Sequence, residues 1–219
     1  MTTPYTSLRV TDAGVVLFEA HLARLAGADP TMREPFERWA ETAPPGVYVV
    51  RGSGGQLSVE ARAGSRLVEG IPIRFLPSPF AAQRGPFIKP APPSPYDSVR
   101  TQGLATLLTD AGGAEVYESC AASVLAWDGA TVVAVPDHAP RVASVAEACV
   151  LAAVPHRRAR LAVGATWPLL LVNAVAGVIE PSAPGRDRFP PALRARLAQA
   201  IAATASRVSA TARRAAAPG

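Results

Sequence analysis

Eight prolines lie between residues 72 and 95, at positions 72, 77, 79, 86, 90, 92, 93 and 95. Proline lacks an amide hydrogen and fixes φ, so a stretch this dense cannot run as helix or as the centre of a sheet. The spacing predicts an extended connector over 81–97, between a small N-terminal lobe (1–80) and a larger C-terminal lobe (98–219). In its middle, in GPFIKPAPPSPYDSVR, stands Lys89, the single lysine of the chain; the other 21 of its 22 basic residues are arginine. A guanidinium replaces an ammonium on most solvated surfaces. It cannot do amine chemistry, because it stays protonated at any accessible pH.

With 49% hydrophobic and 18% charged residues, the 219-residue chain reads as globular. No stretch approaches the roughly 20 apolar residues of a membrane span. The apolar run WPLLLVNAVAGVIEP is interrupted by Asn173 and Gly177 and reads as a buried strand followed by a turn. The start, MTTPYTSLRV, has neither a basic nor an apolar leader segment, and the expectation is a cytoplasmic protein. Cys120 and Cys149 are expected as free thiols, and no Cys/His spacing points to a metal. The net charge of +5 and pI near 9.9 raise the possibility of a nucleic-acid partner. The arginines are scattered, however, and the one cluster, PHRRARL at 155–161, has no interleaved aromatics. An anionic small-molecule ligand suits this charge better.

Local patterns predict a mixed fold. YTSLRV (5–10) alternates as a strand, and DAGV is a turn. LFEAHLARLAGA places Leu17, Phe18, His21, Leu22 and Leu25 at helical spacing, with His21 packed on the apolar face. GVYVVRGSGGQLSVEARA is a hairpin around a Gly/Ser turn, and IPIRFLPSPF a strand. SVRTQGLATLL fits helix or strand. GGAEVYESCAASVLAWDGATVVAV holds two or three strands, with turns at Gly112–Gly113 and Asp128–Gly129. SVAEACVLAAV is a helix with a Ser144–Glu147 capping box, WPLLLVNAV a buried strand, and 190–214 an Ala/Arg-rich helix.

Taken in order, HLARL, the lysine followed seven residues later by Tyr96–Asp97, YESCAAS, RVASVAE and VNAVAGVIEP resemble the class IV pyridoxal-phosphate aminotransferase and lyase family. That family includes branched-chain and D-amino-acid aminotransferases and aminodeoxychorismate lyase, and the resemblance covers most of residues 5–181. It implies an α+β, two-lobed D-amino-acid-aminotransferase-like fold (PLP fold type IV), with a small N-terminal α/β lobe and a larger mixed-sheet C-terminal lobe. It further implies a homodimer, pyridoxal 5'-phosphate as cofactor, and an amino acid or aminodeoxychorismate as the small anionic substrate.

The site residues implied by the resemblance follow motif by motif. Arg24 stands where the HLxRL helix binds the cofactor phosphate, as suits a guanidinium fork. Lys89 forms the Schiff base and shuttles the substrate α-proton, which requires a neutral amine; Pro90 departs from the polar residue that usually follows. Tyr96 bonds the cofactor's ring oxygen. Glu118 pairs with the pyridine nitrogen so that the ring can accept electrons; Glu115 competes for this role, and Ser123 replaces an asparagine. RVASVAE lines up with a G-[VI]-[TN]-R phosphate turn, where the amides of Val142 and Ala143 bind the phosphate although Arg141 replaces the glycine and Ser144 the arginine. Asn173 and Ala174 close this cup. The family usually carries a further segment ahead of the first strand, and Thr6 replaces a glutamate in it. Three functions follow: an aminodeoxychorismate lyase releasing pyruvate and 4-aminobenzoate, an amino-acid aminotransferase, or a non-catalytic binding protein on the same scaffold.

Overall fold

The computed structural model describes residues 4–83, 85–88, 90 and 93–205. The chain divides into two compact units, one of residues 1–64 and 202–219, the other of 65–201.

In the first unit, strands β1 (Tyr5–Thr11), β2 (Gly14–Val15), β3 (Gly46–Ser53) and β4 (Gln56–Arg62) form an antiparallel sheet in the order β2-β1-β3-β4. Ser53 pairs with Gln56 across the two-residue turn Gly54–Gly55, and both glycines have positive φ (58° and 74°). Such a turn matches the twist of the strands and excludes most side chains, which is why the Gly/Ser run is a hairpin. Helix α1 (Phe18–Ala28) turns Phe18, His21, Leu22 and Leu25 inward, as their spacing predicts. Leu17 precedes this helix in the left-handed region (φ 58°) instead of joining it.

Helix α2 (Arg33–Thr42) is absent from the sequence expectations. Its inward face is only Phe36 and Ala40, so the apolar pattern is thin. The better signal lay in its charges, because Arg33–Glu37 and Arg38–Glu34 pair one turn apart. Phe18 stacks on Phe36 at 5.5 Å, and these rings with Leu8, Val50 and Met32 make the unit's core.

The second unit holds two further sheets. Strands β5 (Ile73–Pro77), β6 (Ala105–Thr109), β7 (Glu115–Ser119) and β11 (Leu161–Ala162) form one, in the order β11-β7-β6-β5. Strands β8 (Ser123–Trp127), β9 (Val132–Ala134), β10 (His156–Arg158), β12 (Leu169–Asn173) and β13 (Gly177–Ile179) form the other, in the order β10-β9-β8-β12-β13. The β5–β6 and β9–β10 pairs are parallel and the rest antiparallel. Helices α3 (Pro95–Val99), α4 (Val145–Ala152) and α5 (Pro191–Ala202), with a 3-10 helix at Pro30–Met32 in the first unit, complete the described elements. The segment SVRTQGLATLL, open between helix and strand, contributes β6. The expected 190–214 helix ends at Ala202, and residues beyond 205 lie outside those described.

The proline-rich stretch falls in the sequence range of the second unit, 65–201. One expectation about it is corrected, because it contains a helix: α3 starts at Pro95, a first-turn position where the missing amide has no partner to lose. Pro77 ends an edge strand, where a missing donor is tolerated. Phe80, Phe87 and Tyr96 pack with Leu108 and Cys120, so the prolines border a hydrophobic cluster. Cys120 and Cys149 are free thiols. No helix among the described residues is long and apolar enough to cross a membrane.

The turn between β8 and β9 is built on Asp128. Its carboxylate accepts the amides of Thr131 (2.8 Å) and Ala130 (2.9 Å) and the Arg157 guanidinium (2.9 Å). The Thr131 and Ala130 amides bring its pKa from 3.8 down to about 2. A depressed carboxylate contributes stability above its unfolded pKa and loses it as pH falls through the folded one. Urea midpoints should therefore fall between pH 3.8 and about 2, and Asp128→Asn should flatten that part of the profile while lowering stability at neutral pH.

Candidate active site

Glu118 lies on β7 opposite Leu108 of β6, beside a bulge between Leu108 and Thr109. It is 4% exposed, and beside it stand Tyr96 and Leu108, both members of the buried Phe80–Tyr96–Leu108–Cys120 cluster. A carboxylate buried among such groups is costly unless donors reach it. Tyr96 donates its hydroxyl to Oε1 at 2.5 Å, and the Val142 amide donates to Oε2 at 3.1 Å. These charge-assisted bonds favour the ionised form.

Local sequence explains how each partner arrives. Ser94 precedes α3 and donates its amide to Asp97 at 2.8 Å, while Arg100 holds Asp97 at 3.0 Å, which sets the helix start and hence Tyr96. The Tyr96 ring is 3% exposed and lies 4.9 Å from that of Phe80, which in turn is 4.8 Å from Phe87. Phe87 and Val142 form a parallel bridge: the Phe87 amide donates to the Arg141 carbonyl at 2.9 Å, and the Ala143 amide to the Phe87 carbonyl at 3.1 Å. Lys89 follows two residues after Phe87 and lies outside the described residues.

Of the two candidate glutamates, Glu118 is the buried one; Glu115 pairs with Arg160 at 2.9 Å near the surface. Arg24 belongs to the first unit, half-buried on α1, where burial lowers its guanidinium pKa and Tyr5 partly opposes the shift. His21 is fully buried, as expected, with Nδ1 2.6 Å from the Thr6 hydroxyl. That contact gives the threonine standing in place of a glutamate a packing role.

Of the residues expected to form the phosphate cup, Val142 donates its amide to Glu118 at 3.1 Å and Ala143 donates its amide to the Phe87 carbonyl at 3.1 Å. Asn173 donates to the Ala121 carbonyl at 3.0 Å and accepts the Val175 and Ala176 amides at 3.0 and 2.6 Å. Its side chain shapes the turn after β12, and Ala174 is buried in that turn. The capping box is half made: the Ser144 hydroxyl accepts the Glu147 amide at 3.2 Å, but the Glu147 carboxylate faces Arg141 and Arg158 instead. Sequence reasoning missed this buried charge network. Its signal was the replacement of a turn glycine by Arg141.

No protein-family model matches this sequence, and no curated protein matches it. Solved structures do. One is a 4-amino-4-deoxychorismate lyase from Pseudomonas aeruginosa, with 17% identity, a TM-score of 0.66, and 90% of this chain and 89% of that chain covered. Another is a hypothetical aminotransferase from Mycobacterium tuberculosis in its PLP-bound form, with 16% identity, a TM-score of 0.62, and 92% and 89% covered. The same protein with α-ketoglutarate and PMP bound gives a TM-score of 0.61. The chain shares their fold. It is the mixed fold of class IV aminotransferases and aminodeoxychorismate lyases, as the sequence motifs implied.

The Tyr96–Glu118 bond can be tested directly. Tyr96→Phe keeps the ring packing and removes one donor from a buried carboxylate, which costs about 1–3 kcal/mol. Chemical denaturation should show that loss, and Glu118→Gln in the Tyr96→Phe background should recover part of it by removing the charge.

Proposed function

We propose that this protein is a pyridoxal-phosphate-dependent enzyme of the aminodeoxychorismate lyase type, eliminating pyruvate from 4-amino-4-deoxychorismate to give 4-aminobenzoate. The observation that carries this reading is the buried Glu118 carboxylate, held by Tyr96 seven residues after the only lysine of the chain. The fold shared with a PLP-bound aminotransferase and an aminodeoxychorismate lyase supports it.

The residues present fit the cofactor in chemical kind. A carboxylate has about four lone-pair sites, so Glu118 can accept a ring N–H besides the Tyr96 and Val142 donors. A cationic ring nitrogen is also the kind of partner that offsets burial of the charge. The Tyr96 hydroxyl both donates and accepts, which suits a ring oxygen. Lys89 is the one side chain able to condense with an aldehyde, and Arg24 is assigned to the phosphate on its HLARL context. When bound, the cofactor supplies that aldehyde and a ring that takes up electrons from the substrate's α-carbon. Lys89 as the free amine would take and return the substrate's α-proton, and Glu118 would accept the ring N–H and so favour the protonated ring nitrogen.

The lyase reading rests on the ESCAAS and VNAV variants of the motifs. The aminotransferase reading is favoured instead by the M. tuberculosis match, which has similar coverage.

Wild-type protein incubated with pyridoxal phosphate should develop a visible absorption band that borohydride fixes onto the peptide containing Lys89. Lys89→Ala should show neither, and a colourless wild type would leave only a binding role for the scaffold. Pyruvate release from aminodeoxychorismate without any amino acceptor is expected of the lyase; a strict requirement for a 2-oxo acid would instead assign the aminotransferase.

A further inference from the structure

We infer that Arg141 and Glu147 are positioning residues for the active site: their buried ion pair aims the Val142 amide at Glu118 and holds the backbone at Phe87. This rests on the proposed role of Glu118 as the carboxylate that faces the cofactor.

Arg141 and Glu147 are 4% and 3% exposed. The guanidinium grips the carboxylate in a fork, at 2.6 Å to Oε2 and 3.0 Å to Oε1. Glu147 also receives Arg158 at 2.6 Å, and Asp137 receives Arg141 at 3.4 Å and Arg158 at 3.1 Å. Two arginines and two carboxylates thus tie the loop before α4 to the helix itself and to β10. Arg158 adds a bond to the Val135 carbonyl at 2.8 Å, at the start of the same loop.

The position of this network gives it more than a packing role. The residue after Arg141 is the one whose amide reaches Glu118, at 3.1 Å. The carbonyl of Arg141 itself accepts the Phe87 amide, and Ala143 returns a bond to the Phe87 carbonyl. Gly85 adds a third bond, to the His138 carbonyl at 3.1 Å. One loop therefore fixes both a donor to the carboxylate and the backbone at Phe87. A rotation of residues 141–143 would disturb both together. The planar fork suits this task because it sets orientation as well as distance, which a point charge on a flexible stem does not.

The test uses the full-length chain without added cofactor. Arg141→Met with Glu147→Met removes the pair together and changes no net charge, and such replacements often leave stability intact. Arg141→Lys keeps the charge and loses the fork. Carbon-detected NMR should place the Glu118 carboxyl midpoint higher in both variants than in wild type, since a misaimed amide no longer favours the ionised form. Exchange of the Val142 and Ala143 amides should quicken at least tenfold, with core strand β12 unchanged. If the double variant does not fold, the lysine variant gives the same two readouts. An unchanged Glu118 midpoint with amides as protected as in wild type would overturn the inference. Failure of wild type to take up pyridoxal phosphate would overturn the proposed function and leave these measurements standing.

Discussion

A carboxylate enclosed by apolar side chains is the constraint around which the second unit is arranged. Left without donors, Glu118 would be a large penalty in that environment. Three segments far apart in sequence meet to prevent it. Helix α3 brings the Tyr96 hydroxyl, β7 carries the carboxylate, and the loop ahead of α4 brings the Val142 amide. Each is held by its own local device: the Ser94–Asp97 cap, the β6–β7 ladder, and the Arg141–Glu147 fork. A change in any one reaches the same carboxylate.

The strongly basic composition takes on a different meaning in three dimensions. The PHRRARL cluster is the densest run of arginine, yet its members lean on carboxylates of the same unit. Arg157 meets Asp128, Arg158 meets Glu147 and Asp137, and Arg160 meets Glu115. Most such surface pairs contribute little stability individually. The Arg141–Glu147 pair differs because it is buried, and half of such a pair cannot be removed without leaving an uncompensated charge.

Much of the fold was legible because short-range rules decided it. Gly54–Gly55 permits only a narrow set of turns, so the β3–β4 hairpin followed from it. The Phe18–His21–Leu22–Leu25 stripe made α1 readable. Helix α2 was not, because two inward residues in ten leave almost no stripe to detect. Strand β6, with ATLLT buried throughout, was ambiguous because a short run that is apolar on both faces carries no period. The partners of the Val142 and Ala143 amides were not legible for another reason. A backbone amide has the same sequence signature whether it meets an anion, a side chain or another strand.

By itself the sequence determined that one side-chain amine exists, that Tyr96 and Glu118 follow it at motif spacing, and that strands and helices mix along the chain. These are properties of residue identity and local geometry. The tertiary structure decided which of two glutamates is enclosed and that Arg141 answers Glu147 across the start of α4. Those outcomes depend on contacts between segments separated by tens of residues, because burial and the pairing of charge are set by what folds against a side chain and not by its neighbours in the chain.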